Sequence, residues 1–101
     1  MSFSGAIKIE GTDNIAVSLE DLSAGASIEV RMGEETWLVT VNQNVPFGFK
    51  FALVDIRKGE QILKYGESIG IASEDISLGD MVHVHNLEGG KGRGDLEGVL
   101  Q

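Results

Sequence analysis

A five-residue pattern recurs three times along the chain: an Asp, then Leu or Ile, then two variable residues and a closing Gly. The copies are Asp21-Leu22-Ser23-Ala24-Gly25, Asp55-Ile56-Arg57-Lys58-Gly59 and Asp75-Ile76-Ser77-Leu78-Gly79. Each holds a carboxylate able to cap a backbone N–H, an apolar anchor for the core, and a residue free to adopt a left-handed conformation. The pattern predicts three single helical turns, each capped by its own Asp and closed by its Gly. A catalytic set of three aspartates is the competing reading. It is the weaker one, because an acid beside a core anchor and a closing Gly is what a cap-and-turn needs.

Between these points the chain reads as short strands. Fourteen Gly against one Pro suit tight turns, and no segment carries helically spaced apolar residues beyond about two turns. Alternation marks Ala6-Ile7-Lys8-Ile9-Glu10 and Asn14 to Leu19. It also marks Ser27 to Arg31 and Thr36 to Val41, which flank Met32-Gly33-Glu34-Glu35 like a hairpin. Gln61 to Tyr65 and Ser68 to Ala72 surround Gly66-Glu67, a pair whose leading Gly suits a type II′ turn. Phe47, Phe49 and Phe51 alternate as well, opposite Ala52 and Val54, which predicts one face as core and the other partly covered by a partner. Trp37 reads as core, and Asp13-Asn14 as a turn entering a strand.

A length of 101 residues, 42% of them hydrophobic, suffices for one core and is small for a complete enzyme. Eight basic against 16 acidic side chains give a formal net charge of −8, which argues against nucleic acid and anionic membranes as partners. With no Cys, neither disulfides nor thiolate metal sites can form. No stretch approaches the ~20 apolar residues of a membrane span, and the expected location is the cytoplasm.

Chemistry concentrates near the end, in Val82-His83-Val84-His85-Asn86, which holds both histidines of the chain. On a strand, alternation would put both imidazoles on one face and send Val82 and Val84 into the core. Two imidazoles so placed could converge on one metal ion or one anionic substrate, or could be an ordinary polar strand face whose histidines only hydrogen-bond nearby groups. No third His and no Cys completes a dedicated metal site. Tyr65 could hydrogen-bond a substrate through its phenol, although a Tyr beside a hairpin Gly more often packs its ring.

Several segments together carry a family resemblance: Ile7-Lys8-Ile9 with Asp13-Asn14-Ile15-Ala16-Val17, then Phe51 to Glu60, Lys64-Tyr65-Gly66-Glu67-Ser68-Ile69-Gly70, and His83-Val84-His85-Asn86. They resemble the N-terminal domain of altronate and galactarate dehydratases, and the separate small subunit of the related sulfolactate sulfo-lyase. The resemblance implies a mainly β SAF-type domain with the β-clip fold over 1–87, short bent strands with single helical turns, followed by a Gly-rich flexible tail or linker over 88–101. It also implies a much larger catalytic subunit or domain as partner, without which this chain would be inactive or nearly so, and leaves homo-oligomers open.

The implied activity is that of a hydro-lyase, β-elimination of water from a sugar acid such as altronate to give a 2-keto-3-deoxy acid. The alternatives are a sulfolactate-type carbon–sulfur lyase subunit and a noncatalytic binding or assembly module. On this reading His83 and His85 are catalytic or ligate a divalent metal (iron, manganese or magnesium) shared with the large subunit, while Lys50 and Asn86 bind substrate. One departure stands out. Where the family commonly reads Gly-His-Lys, this chain reads Gly48-Phe49-Lys50, so an imidazole is replaced by a ring that neither ligates metal nor moves a proton.

Overall fold

The computed structural model describes residues 5–89, which form nine strands and no helix. In chain order these are β1 (Ala6–Ile7), β2 (Ile15–Ser18), β3 (Ser27–Met32), β4 (Glu35–Thr40), β5 (Lys50–Ala52), β6 (Gln61–Lys64), β7 (Glu67–Ala72), β8 (Met81–Val82) and β9 (Leu87–Glu88). Six form one sheet in the order β4-β3-β1-β2-β5-β8, and three form a second in the order β6-β7-β9. β1 and β3 run parallel; the other pairs are antiparallel. The mainly β expectation holds. The Gly-rich tail expected from residue 88 begins with Glu88 paired to Ile71, and its part from residue 90 onward lies outside the described residues.

The expected single helical turns are β-turns instead. In each copy the Gly is the third residue of a four-residue turn closed by one hydrogen bond: Ala26 N to Ser23 O, Glu60 N to Arg57 O, and Asp80 N to Ser77 O, at 2.9–3.0 Å. With φ near +90° at that Gly, these are type II turns. A fourth copy, Asn44-Val45-Pro46-Phe47-Gly48, has the same geometry, with Asn and Val in the places of Asp and Leu or Ile.

The caps also run between copies rather than within them. Leu22 bridges Val45 and Ile56 bridges Ile76, both antiparallel, and each bridge sets an acid or amide beside its partner's turn. Asp21 Oδ1 accepts from Phe47 N while Asn44 Oδ1 accepts from Ala24 N; Asp55 Oδ1 accepts from Leu78 N while Asp75 Oδ1 accepts from Lys58 N. The chain is thus built twice from one plan, turn, hairpin, turn, with β3–β4 in the first unit and β6–β7 in the second. Each cap contributes about 1 kcal/mol, and the reciprocity ties each hairpin's two ends together.

Each unit has its own core. Leu22, Ile28, Val30, Val39, Val45 and Phe51 pack in the first, and Ile15, Ile56, Ile62, Ile76 and Val82 in the second. Strands β2 and β5 lie between the two, with Ala16 and Phe51 facing the first cluster and Ile15 and Ala52 the second. Both faces of β5 are therefore covered by the chain itself, and the expected partner-covered face is corrected. Nor do the phenylalanines form one stripe: Phe51 is fully buried, while Phe47 is 65% exposed at the tip of its turn. Trp37 packs only partly buried against the first cluster.

Both hairpins have two-residue loops. Gly33-Glu34 joins β3 to β4 with positive φ at Gly33, as in a type II′ turn. The loop from β6 to β7 is Tyr65-Gly66, not Gly66-Glu67, and both residues have positive φ (+58° and +77°), which makes it type I′. A Tyr in that conformation costs about 1–2 kcal/mol, and Asp13 offsets it. Its carboxylate, 4% exposed, accepts from Gly66 N at 2.8 Å and from Tyr65 N and Glu10 N at 3.0 Å. Burial pushes its pKa up, but the Gly66, Glu10, Tyr65 and Ile9 N–H groups outweigh that and hold it below the usual carboxylate value. Asn14 completes the clamp, accepting from Leu63 N and donating to Gln61 O.

Candidate functional site

Strand β8 stops at Val82, and His83 to Asn86 form a turn that leads into β9. Asn86 makes the turn. Its Oδ1 accepts from His83 N at 2.9 Å, its Nδ2 donates to Met81 O at 2.9 Å, and its own N–H donates to His83 O at 3.0 Å. At 3% exposure the side chain is a buried lock with its donors and acceptor committed to backbone. Close packing of β9 on β7 holds the turn in place. A Cβ at Gly70 would collide with the Glu88 carbonyl oxygen, so only Gly lets the strands approach.

This geometry corrects the strand expected through the histidines. Val82 is fully buried as alternation required, but Val84 is 80% exposed at the turn. The physical reason is local: the Asn86 side chain captures the His83 N–H, which would otherwise continue a ladder. His83 is half-buried with its ring centroid 4.6 Å from that of Phe49, the planes tilted by 40°. His85 is exposed. Among the described residues no three His, Cys, Asp or Glu groups lie together to hold a metal, so two imidazoles from one turn do not by themselves make a metal centre.

Lys50 leads β5, in register with Val17 of β2 and Val82 of β8. Paired residues share a face, so its side chain leaves on the side of the second core, while His83 lies with Phe49, which packs against the first. The structure thus brings Lys50 and His83 to neighbouring strands but to opposite faces. Burial, and after it the Lys64 ammonium, hold the Lys50 pKa below the usual lysine value. At the hairpin the Lys64 Nζ lies 4.8 Å from the Tyr65 ring centroid. This contact was not read from sequence, where the only signal was a non-Gly residue at a hairpin position that demands positive φ.

Two shallow hollows mark the crossings of the turn pairs, one lined by Asp55, Arg57, Asp75 and Ser77, the other by Asp21, Ser23, Asn44 and Pro46. The acids in them are the reciprocal caps, which accounts for their presence without catalysis.

Comparison with known proteins bears on the whole described region. The family model for the altronate/galactarate dehydratase SAF domain matches residues 4–90. Altronate dehydratase of Escherichia coli (strain K12) is 48% identical over 80 residues, 79% of this chain and 15% of that protein. Altronate dehydratase of Bacillus subtilis (strain 168) is 39% identical over 82 residues, 81% of this chain and 16% of that protein. The (2R)-sulfolactate sulfo-lyase subunit alpha of Chromohalobacter salexigens is 32% identical over 74 residues, 71% of this chain and 79% of that subunit. The chain therefore spans about one sixth of the length of the two dehydratases and most of the length of the lyase subunit.

Proposed function

We propose that this chain, which belongs to the altronate/galactarate dehydratase SAF domain family, is the accessory portion of a sugar-acid dehydratase and works only together with a much larger catalytic portion. The observation that carries the reading is the pairing of 48% identity to an altronate dehydratase with coverage of only 15% of it. The reaction is β-elimination. A base removes the proton α to the carboxylate, the β-hydroxyl leaves as water once protonated, and the resulting enol becomes a 2-keto-3-deoxy acid. Nothing in this chain is assigned as that base.

In this reading His83 is the group that protonates the leaving hydroxyl. Its half-buried ring, set by Phe49 on one side and by the Asn86-locked backbone on the other, supports a fixed orientation. His85, exposed on the same turn, is free to meet the large portion. In the alternative role, His83 and His85 would together ligate a divalent ion completed by ligands from that portion, and His83 would then not be the proton donor. Lys50, which leaves the sheet on the opposite face from His83, is not assigned to a substrate held at that imidazole. Asn86 acts through the turn it locks, its polar atoms being already committed to backbone.

A second reading keeps the same role but exchanges the leaving group for sulfite, as in a sulfolactate lyase. The coverage of 79% of the alpha subunit favours it as an architecture, a small subunit beside a large one. The test is a coupled assay for 2-keto acid over altronate, galactarate and sulfolactate, with this chain alone, the large portion alone, and both together. Turnover should appear only with both, on altronate in preference to sulfolactate. His83→Ala should lower it about 10²-fold or more at unchanged stability. Full activity of the large portion alone, or wild-type turnover in the His83→Ala, His85→Ala double variant, overturns the reading.

A further inference from the structure

Two β-turns emerge side by side where the β5–β8 pairing ends. One position beyond Lys50 opposite Val82, the register sets Phe49 opposite His83, and their ring centroids lie 4.6 Å apart. Phe49 closes the turn Pro46-Phe47-Gly48-Phe49, its N–H donating to Pro46 O at 2.9 Å. His83 opens the turn His83-Val84-His85-Asn86, its carbonyl accepting from Asn86 N at 3.0 Å. The last residue of one turn thus packs on the first residue of the other.

Each turn lifts an apolar side chain at its second position: Phe47 is 65% exposed and Val84 80%. Turn chemistry asks for neither, since turns favour Gly, Pro, Asn, Asp and Ser. Both tips are nevertheless held in place. Gly48, at φ +85°, and the Asp21 carboxylate, which accepts from Phe47 N, fix the first; Asn86 locks the second. Apolar side chains held in water on fixed turns have already lost the freedom that docking would take from them. The eight residues of the two turns include no Asp, Glu, Lys or Arg, in a chain that is 24% charged. Depletion of charge with aromatic enrichment marks the core of a protein–protein interface. Phe47 sits at a turn tip beyond β5, so its exposure is separate from the two faces of that strand, which the chain covers itself.

We propose that Phe47 and Val84 are paired anchors by which this domain docks on the large catalytic portion, each entering an apolar pocket of it. The inference rests on the dehydratase reading, which fixes the occupant. Protonation of the leaving group by His83 needs the substrate within hydrogen-bond reach of the imidazole. The base that takes the α-proton acts a few bonds away on the same substrate, and no residue of this chain is assigned to it. The catalytic portion must therefore come up to His83, whose neighbours are Val84 in the chain and, through the Phe49 ring, the turn that carries Phe47. A second copy of this chain would bring no such base.

The experiment produces this chain together with the large portion and reads the dissociation constant of the assembly by sedimentation on dilution, without substrate. Wild type should assemble, and Phe47→Ala and Val84→Ala should each weaken assembly at least about tenfold. Leu38→Ala is the control, since Leu38 is 68% exposed on β4 at the other edge of the six-stranded sheet, and it should assemble like wild type. Thermal melts of the isolated variants should match wild type, so that lost assembly is not lost folding. Wild-type affinity in both variants, or an equal loss in Leu38→Ala, overturns the docking surface. So does self-association of this chain that the two substitutions abolish while the large portion still binds, because the occupant is then a second copy. If the large portion binds both variants like wild type and turnover needs both components, the accessory reading stands and only this surface falls. If wild type does not assemble with it at all, the accessory reading falls and takes the surface with it.

Discussion

Replacing Asp13 by Asn separates a structural acid from a catalytic one. Oδ2 accepts from both Glu10 N and Tyr65 N, and Oδ1 accepts from Gly66 N, so one carboxylate serves three donors. An Asn can keep its oxygen toward Glu10 and Tyr65, but its NH2 then faces the Gly66 N–H, donor against donor. One charge-assisted hydrogen bond is lost and two are weakened, a cost of about 2 kcal/mol; Asp13→Ala, which abandons all three, costs about 3 kcal/mol. Against a typical domain stability of about 5–15 kcal/mol either change is large. In urea the Asn variant should unfold at a midpoint about 1–2 M lower, with m unchanged.

The pH dependence carries a sign. The Asp13 pKa is lowered in the folded state, because its backbone hydrogen bonds outweigh the opposing effect of burial. Its stabilisation is therefore complete above the unfolded-state value and lost as pH falls through the lower folded-state value. The gap between wild type and Asp13→Asn should be constant from pH 7 to about 5 and close below about pH 4. A gap under about 0.5 kcal/mol at pH 7, or one that persists undiminished far into acid, would refute the clamp.

Asp21, Asp55 and Asp75 should each accept Asn within about 0.5 kcal/mol by urea unfolding, since Asn44 already performs the same reciprocal cap, and turnover of the assembled enzyme should not change. Gly25→Ala should cost about 1–2 kcal/mol for its positive φ alone, because a Cβ there meets open space. Gly79→Ala should cost more than about 3 kcal/mol or prevent folding, because its Cβ would collide with the Thr40 carbonyl oxygen, and circular dichroism melts of the pair read the difference. Asn86→Asp should lower stability by about 1–3 kcal/mol through loss of its donation to Met81 O, whereas His85→Ala should leave the melt unchanged.

What could be read from sequence was whatever depends on neighbours in the chain. Alternation in Ser27 to Arg31 and Thr36 to Val41 located β3 and β4, and the Gly of each recurrent pattern located a turn. The missed features all depend on groups far apart in sequence. Each acid of the repeat caps a turn 17–26 residues away, so the pattern marked the turn correctly and misassigned its cap. Asp13 lies 52 residues from Tyr65 and converts an expected type II′ loop into type I′, because holding the Tyr65 and Gly66 N–H groups offsets a φ that Tyr would otherwise avoid. The alternation of Phe47, Phe49 and Phe51 opposite Ala52 and Val54 read as one core face and one partner-covered face because a periodicity argument assumes one core, and a strand between two cores buries both faces.

The candidate site follows the same division. The histidines were visible as residue types, but their placement was decided by Asn86, whose side chain competes with the ladder for the His83 N–H and wins because its amide satisfies the Met81 carbonyl as well. A turn suits a catalytic imidazole better than the expected strand would, since it frees the ring from a sheet face and sets it beside a segment that can meet a partner. Phe49, standing where the family resemblance implies a His, packs its ring 4.6 Å from that of His83 and so limits its rotamers. If a second imidazole is needed in this chain, His85 is the remaining one. Phe49→His should therefore leave the turn intact and raise turnover only if the large portion expects a group at residue 49. Unchanged turnover would place the whole proton-transfer role of this domain on His83 and His85.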